Sequence, residues 1–132
     1  MATIKKFEDL EIWQAARELA KRIKRLTETE LFSKDFRFRD QINASAGSVM
    51  DNIAEGFERS SRLEFINFLS ISKASTGEVR SQLYRAIDYN YLKEDEVVSI
   101  IKEYEALASA IAGFIAYLNK SLHKRQKFKE RM

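Results

Sequence analysis

The side chains that could support catalysis are few and poorly placed for it. Histidine occurs once, at His123, and cysteine does not occur. A di-iron site in a helical bundle needs Glu-x-x-His pairs, and Lys120 stands three residues before His123. Ser45, Ser72 and Ser75 have no histidine partner on an apolar segment that could activate them, so we expect them to pack as small side chains. The sequence therefore predicts no catalytic residue, no metal site and no cofactor.

The carboxylates include one suggestive group. Asp51 and Glu55 are one helical turn apart, and Glu78 lies in a stretch of small residues. General acid–base catalysis needs a carboxylate in a cleft that tunes its proton affinity. An ion pair of Glu55 with Arg59 or Arg62 is the simpler interpretation. With no nucleophile, base or metal site in view, we expect that the protein is not an enzyme.

Basic residues give a positive indication of function. Four cations of the first predicted helix fall on or near one face: Arg17, Lys21, Lys24 and Arg25. The C-terminal tail contributes three further candidates: Lys124, Arg125 and Lys127. Clustered cations neutralise phosphates and release counterions, which gives sequence-independent affinity for nucleic acids. The alternative is a solvated helix face with a solubilising tail, since the formal net charge is only +3 and the pI is near 9.1.

Length and composition indicate one globular domain. The 132 residues include 45% hydrophobic and 33% charged side chains, which is typical of folded proteins. The first nine residues lack the apolar segment of a signal peptide. The longest uncharged run, 106–119, has 14 residues and is too short to span a bilayer. We therefore expect a soluble, cytoplasmic protein without a membrane partner.

Long helices are indicated by the absence of proline and by the presence of only four glycines. The spacing of apolar residues predicts four helices with these approximate bounds: 9–29, 35–56, 61–89 and 93–121. Asp9 is a predicted N-cap, and Ser61 with Glu64 has the spacing of a capping box. Gly56 is predicted to end the second helix in the left-handed conformation. Residues 30–34 are predicted as a linker.

The arrangement of these helices follows from their short connections, which make neighbours antiparallel. The predicted fold is an all-α, up-down-up-down antiparallel four-helix bundle. The bundle domain spans 1–122 and is followed by a basic C-terminal tail, 123–132. The small residues from Ser70 to Gly77 predict a close helix crossing, because short side chains allow a neighbouring backbone to approach.

The last predicted helix has more apolar residues than one bundle core requires. A heptad row runs from Val97 to Leu122. A second apolar row lies beside it: Ile100, Leu107 and Phe114. Since a bundle helix needs about three apolar positions in seven, we predict that the second row forms an oligomer interface with another subunit.

Several segments together carry a resemblance to a known family. They are Asp9–Ala16, Gln41-Ile42, Ser48, Asn52–Gly56, Glu64–Leu69, Ser75–Val79 and Gln82-Leu83. In these segments the chain resembles the four-helix bundle family of the 23S rRNA intervening-sequence proteins, over about residues 7–118. The run Asn-Ile-Ala-Glu-Gly at 52–56, with the later segments at the right distances, is a fairly specific combination. Asn43 and Ala44 stand where relatives often carry arginines.

The resemblance implies a bundle that assembles into a homopentameric ring. The family is also similar to the accessory protein of diversity-generating retroelements, a basic pentameric barrel that binds nucleic acid and a reverse transcriptase. The implied partners are further copies of the chain, RNA or DNA, and a reverse transcriptase or other protein. Our hypothesis is therefore a non-enzymatic, ring-forming bundle that binds RNA or DNA electrostatically, without base-specific readout. The alternative is a protein–protein interaction scaffold with no nucleic-acid role.

Overall fold

The computed structural model describes residues 4–131, including the side chains of residues 4–122, and this part of the chain contains helices but no strand. A short 3-10 helix, Phe7–Asp9, comes first. The α-helices that follow are α1 Glu11–Leu26, α2 Glu30–Lys34, α3 Phe36–Phe57, α4 Arg62–Asp88 and α5 Glu94–Arg131. The predicted all-α class is confirmed.

The four long helices pack side by side in the cyclic order α1, α3, α4, α5. Near one end of the bundle, Arg85 of α4 donates a hydrogen bond to Gln41 of α3, with 3.0 Å between Nη2 and Oε1. Near the other end, Phe65 and Phe68 of α4 lie against Gly56 of α3. Residue numbers thus rise along one helix as they fall along the other, so α3 and α4 are antiparallel. The predicted four-helix bundle is confirmed.

Two of the predicted helix starts are confirmed by their caps. The Asp35 carboxylate accepts a hydrogen bond from the backbone N–H of Phe38 at 3.2 Å. Ser61 Oγ accepts one from the backbone N–H of Glu64 at 3.1 Å. Each cap satisfies an amide that has no carbonyl partner in the first helical turn, which fixes where α3 and α4 begin.

Two other local predictions were wrong. Asp9, the predicted N-cap of the first helix, lies in the 3-10 helix, and α1 begins at Glu11. The predicted linker, 30–34, forms the five-residue helix α2. Phe32 accounts for this helix, since its ring is fully buried and its centre lies 4.9 Å from that of Phe38. Burial of an aromatic ring stabilises a segment whose polar neighbours suggest a loop.

Gly56 does not end α3 in the left-handed conformation that we predicted. It is buried inside a helix that continues to Phe57, and its φ is not positive. A Cβ atom at this position would lie 2.6 Å from Phe68 Cβ and 3.0 Å from Phe65 Cδ1. The close approach of α4 therefore requires a glycine here. A left-handed residue follows α4 instead, at Asn90, where φ is 63°.

The core lies along the bundle axis and draws on all four long helices. Its fully buried side chains include Ile23, Ile42, Ile53, Leu69, Leu83, Tyr104 and Ile111. Within residues 4–131, no helix combines the length and the apolar composition that crossing a lipid bilayer requires.

The predicted boundary between the bundle and its tail is not a break in the backbone. α5 continues as one helix through Arg131, beyond Ser121, where we predicted its end. Arg62 of α4 donates a hydrogen bond to Ser121 Oγ, so contacts with the rest of the bundle reach this point. Residues 123–131 of the predicted tail thus continue α5, and the side chains of the tail lie outside the described residues.

α1 packs loosely on α5. An open groove of about 390 Å³ runs between the two helices, and its walls include Ala15, Ala106 and Ala110. These short side chains do not reach across the gap. Arg22 of α1 does, because its guanidinium forms an ion pair with Glu103 of α5. We call this space the α1–α5 groove.

Candidate nucleic-acid interface

Four of the predicted phosphate-binding residues lie together between α1 and α3. Arg17, Lys21, Lys24 and Arg25 line one open groove of about 600 Å³, which we call the α1 groove. Its remaining lining residues are Ala20, Glu28 and Met50. Steps of four and three residues place Arg17, Lys21 and Lys24 on successive turns of one side of α1, and Arg25 adjoins Lys24. The arrangement predicted from spacing is therefore present.

The position of these cations follows from the amphipathic character of α1. Its buried residues are Ile12, Ala16, Leu19 and Ile23, which recur every three or four positions. Burying this row in the core turns the opposite side of α1 to solvent, and all four cations are exposed there. Met50 of α3 is half-buried at the edge of the groove.

The cations of the α1 groove are only partly neutralised. Lys21 Nζ lies 3.0 Å from a carboxylate oxygen of Glu18, and Lys24 Nζ lies 3.9 Å from one of Glu28. Among the described side chains, neither Arg17 nor Arg25 forms an ion pair. Positive charge is thus in excess in the groove.

The positive charge of the α1 groove lowers the pKa of the Glu18 carboxyl. The hydrogen bond from Lys21 is the largest cause that lowers the pKa of Glu18. The charge of Lys21 lowers this pKa further, as do the charges of Arg17 and Arg25, while partial desolvation raises it. Glu18 is therefore ionised near neutral pH, and its charge offsets part of that of the four cations.

Arg17 links the α1 groove to the single tryptophan of the chain. The Arg17 Cζ atom lies 5.5 Å from the centre of the Trp13 ring, a distance at which a cation is attracted to the ring face. The ring of Phe7 holds Trp13 from another side, edge to face, with 5.1 Å between centres. Indole fluorescence can therefore report on events at this end of the groove.

Three further phosphate contacts were predicted in the C-terminal tail. The side chains of Lys124, Arg125 and Lys127 lie outside the described residues, as does that of His123. Among the described side chains, the α1 groove is lined by the four cations of α1 and by Ala20, Glu28 and Met50.

The chain matches a described family along most of its length. The family model for the 23S rRNA-intervening sequence protein covers residues 8–113. The chain belongs to this family. It is also similar to the crystal structure of a protein of unknown function from the S23 ribosomal protein family of Bacteroides thetaiotaomicron VPI-5482, with a TM-score of 0.72 and 26% sequence identity. That match covers 79% of this chain and 97% of the relative. Comparison with curated proteins finds no match.

In this member of the family, small polar side chains join α3 to α4. We call their contact the α3–α4 seam, formed by Ser45, Ser48, Val49, Ser72, Ser75 and Glu78. Ser45 Oγ donates a hydrogen bond to the Glu78 carboxylate. The hydroxyls of Ser48 and Ser75 lie 3.0 Å apart and share a hydrogen bond. Two of the segments that carry the family resemblance, Ser48 and Ser75–Val79, therefore meet at one helix crossing.

The seam serines have structural partners. Ser72 Oγ donates to the backbone carbonyl of Val49 at 2.6 Å. Sequence reasoning treated Ser45 and Ser75 as small packing residues and missed the acceptor role of Glu78. A signal was available, because Ser45 and Ser48 are three residues apart, as are Ser75 and Glu78. Antiparallel helices bring two such pairs opposite each other.

The second apolar row of α5 has a role inside the chain. Ile100 and Leu107 are only 4% and 3% exposed. Leu107 borders the α1–α5 groove together with Ile12 and Leu19 of α1. Phe114 is half-buried, and its ring centre lies 5.6 Å from that of Phe65. These contacts correct our prediction, since Ile100 and Leu107 do not form an exposed surface for another subunit. α5 needs two apolar rows because it packs on both α4 and α1.

The remaining polar groups of the described residues include an ion-paired carboxylate and three buried atoms without a partner. Glu55 forms an ion pair with Arg59 at 3.6 Å, which confirms the simpler interpretation of that carboxylate. The hydroxyl of Tyr104, Oε1 of Gln82 and Nε of Arg80 are buried without a hydrogen-bond partner among these residues. Burial raises the pKa of Tyr104, so its hydroxyl stays neutral. No group of histidine, aspartate or glutamate side chains within the described part could hold a metal ion.

Proposed function

We propose that this member of the family is a non-enzymatic, self-associating cytoplasmic protein that binds RNA or DNA through the α1 groove. The observation that carries the proposal is the convergence of Arg17, Lys21, Lys24 and Arg25 on one open groove. Side chains of this type bind phosphates through charge and release counterions. The proposed role of all four is electrostatic.

The ion pairs within the groove do not prevent this role. Lys21, Glu18, Lys24 and Glu28 all have side chains that are more than half exposed. Exposed ion pairs contribute little to stability because solvent screens them. A phosphate can therefore replace the carboxylate as the partner of Lys21 or Lys24, while Arg17 and Arg25 are available without such an exchange.

The proposed assembly is a homopentameric ring, as the family resemblance implies. A ring repeats the α1 groove around its axis, so that one strand of nucleic acid meets several grooves and gains affinity through multivalency. Tail residues Lys124, Arg125 and Lys127 are proposed to add phosphate contacts. Light scattering on a sizing column tests the assembly directly, and the mass of a single chain would contradict it.

The alternative proposal is a protein–protein scaffold whose partner is a reverse transcriptase or another protein. The α1–α5 groove favours it, because the walls of this open space include the exposed apolar side chains of Ala15, Ala106 and Ala110. Apolar surface that stays open to solvent is typical of protein contact sites. In this alternative the protein has no nucleic-acid role.

Charge reversal in the α1 groove separates the two proposals. The variant Arg17→Glu, Lys21→Glu, Lys24→Glu should lose binding of a short structured RNA at low salt. The matched control Lys73→Glu, Lys93→Glu, Lys102→Glu reverses the charge of three exposed lysines outside the groove and should lose much less. Fluorescence anisotropy of labelled RNA measures binding, and light scattering shows whether both variants retain the parent mass.

Two outcomes would contradict nucleic-acid binding through this groove. One is a groove variant that binds RNA as tightly as the parent protein. The other is binding by the parent that does not weaken as salt is raised, because contacts to phosphates are strongly salt-dependent. The emission of Trp13 gives an independent reading, since Arg17 lies against its ring.

A further inference from the structure

An exposed aromatic ring stands at the start of α3. Phe36 is the first residue of this helix, and 65% of its surface is exposed. The guanidinium carbon of Arg39 lies 5.0 Å from the centre of its ring. Arg39 is itself fixed, because Nη1 donates to the Ser33 carbonyl at 3.3 Å and Nε donates to Asp40 at 3.1 Å. The ring is thus supported by an arginine and still largely open to solvent.

Phe36 lies at the end of the bundle where α1 ends. Thr27, which follows α1 directly, accepts a hydrogen bond at 3.0 Å from the side chain of Asn43 on α3. Phe36 is seven residues before Asn43 on the same helix, a distance of about 10 Å along the axis. The cations Lys24 and Arg25 are in the last turn of α1. A nucleic-acid strand that leaves the α1 groove at this end therefore has only a short path to the Phe36 ring.

The residues next to the Phe36 ring could bind the phosphate of a nucleotide whose base stacks on the ring. Arg37 is exposed beside it and forms no ion pair among the described side chains. An aromatic face binds bases by stacking, and a nearby arginine binds the phosphate that each base carries. Phenylalanine has no hydrogen-bonding group, so a stack on Phe36 tolerates any base. This tolerance of any base agrees with the proposed contacts in the α1 groove, which bind phosphates and do not distinguish bases.

From this arrangement we propose that Phe36 stacks an unpaired base of a single strand whose phosphates occupy the α1 groove. The inference rests on the proposed function and narrows its ligand to RNA or DNA with unpaired nucleotides. Arg39 holds the ring in place, and Arg37 contacts a phosphate beside the stacked base.

A pair of labelled strands tests the stack. One is a short single strand with all its bases, and the other is an abasic strand of the same length and charge. The parent protein should bind the first strand roughly 5- to 140-fold more tightly. Phe36→Leu should remove this preference and leave the affinity for the abasic strand unchanged, whereas Phe36→Trp should retain it. Leu63→Ala is the matched control, since Leu63 is 61% exposed on α4 at the other end of the bundle.

The possible results are distinct. A Phe36→Leu protein that keeps the full preference overturns the stacking inference, as does a parent protein that binds both strands equally. In either case phosphate binding in the α1 groove stands. A parent protein that binds the structured RNA but neither single strand overturns the inference alone, and one that binds no nucleic acid at all overturns the proposed function with it. Charge reversal in the α1 groove should lower the affinity for both strands together.

Discussion

Gly56 of α3 and Phe68 of α4 are in such close contact that no side chain fits between them. A Cβ atom on Gly56 would lie 2.6 Å from that of Phe68, and 3.0 Å from Cδ1 of Phe65. Both neighbours are half-buried rings on the inner side of α4. The spacing of α3 and α4 at this end of the bundle therefore depends on the absence of a side chain at Gly56.

Gly56→Ala should destabilise the protein even though alanine is the better helix former. Alanine gains about 1 kcal/mol over glycine inside a helix. Overpacking in a tight core costs about 1–3 kcal/mol. We expect the free energy of unfolding to fall by roughly 1 kcal/mol, which urea denaturation followed by circular dichroism would measure.

Gly113→Ala is the control for this substitution. Gly113 is exposed in α5, and a Cβ atom there would meet no atom within 4 Å. Helix propensity alone should then raise the free energy of unfolding, by up to about 1 kcal/mol. If Gly56→Ala stabilised the protein as Gly113→Ala does, the close contact with Phe68 would be contradicted.

Phe32→Ala should be among the most damaging substitutions outside the four long helices. The Phe32 ring is fully buried, with ring centres 4.9 Å from Phe38 and 5.3 Å from Tyr91. Removing a buried phenylalanine costs about 3–5 kcal/mol. Leu31→Ala, a change next to it on a side chain that is 56% exposed, should cost no more than about 0.5 kcal/mol. Equal effects in thermal unfolding would show that α2 is not anchored by Phe32.

The titration of Glu18 should reveal the field of the α1 groove. Its pKa is lowered in the folded protein, first by the hydrogen bond from Lys21. The ionised carboxylate therefore stabilises the fold above the pKa of the unfolded chain, and this contribution disappears as the pH falls through the lower folded pKa. NMR titration of the Glu18 side chain should give a midpoint below the usual glutamate value.

Substitution of Lys21 tests the cause of that lowered pKa. Lys21→Met removes both the hydrogen bond and the nearest charge, so the Glu18 midpoint should rise toward the usual glutamate value. Arg17→Gln should raise it less, because Arg17 acts only through its charge and contributes less. A midpoint that Lys21→Met leaves unchanged would exclude Lys21 as the main cause.

Arg25→Gln should change how nucleic-acid affinity depends on salt. Each phosphate contact with a single strand contributes about 0.7 to the slope of log affinity against log salt. Loss of the Arg25 charge should lower the steepness of that slope by about this amount. Lys73→Gln, on the exposed surface of α4, should leave it unchanged. Weaker binding with the parent slope would mean that Arg25 does not contact a phosphate.

The sequence allowed prediction of features that depend on neighbouring residues. The periodic apolar rows placed the four long helices, and the capping box of Ser61 with Glu64 placed the start of α4. The grouping of Arg17 with Lys21, Lys24 and Arg25 was also predictable, because residues on one face of a helix stay together wherever the helix packs.

Other features depend on partners distant in sequence and could not be predicted in this way. A glycine near a helix end is compatible with a left-handed cap, and only the position of Phe68 shows that Gly56 serves close packing. The row through Ile100 and Leu107 suggested a second subunit, but its residues are buried within the chain, where Leu107 faces Ile12 and Leu19 of α1. Phe36 had no periodic neighbours to mark it, and its relation to α1 arises from the contact between Thr27 and Asn43.

The loose contact across the α1–α5 groove has a consequence for local unfolding. α3 and α4 are joined by the hydrogen bonds of the seam, whereas α1 faces α5 across an open groove of about 390 Å³ that the ion pair of Arg22 with Glu103 bridges. Segments with few buried contacts open at a lower free energy than the rest of a protein. We therefore expect the amides of α1 to exchange with deuterium sooner than those of α3 and α4. Because the groove cations belong to α1, a bound strand would slow that exchange and make α1 part of the cooperative unit formed by α3 and α4.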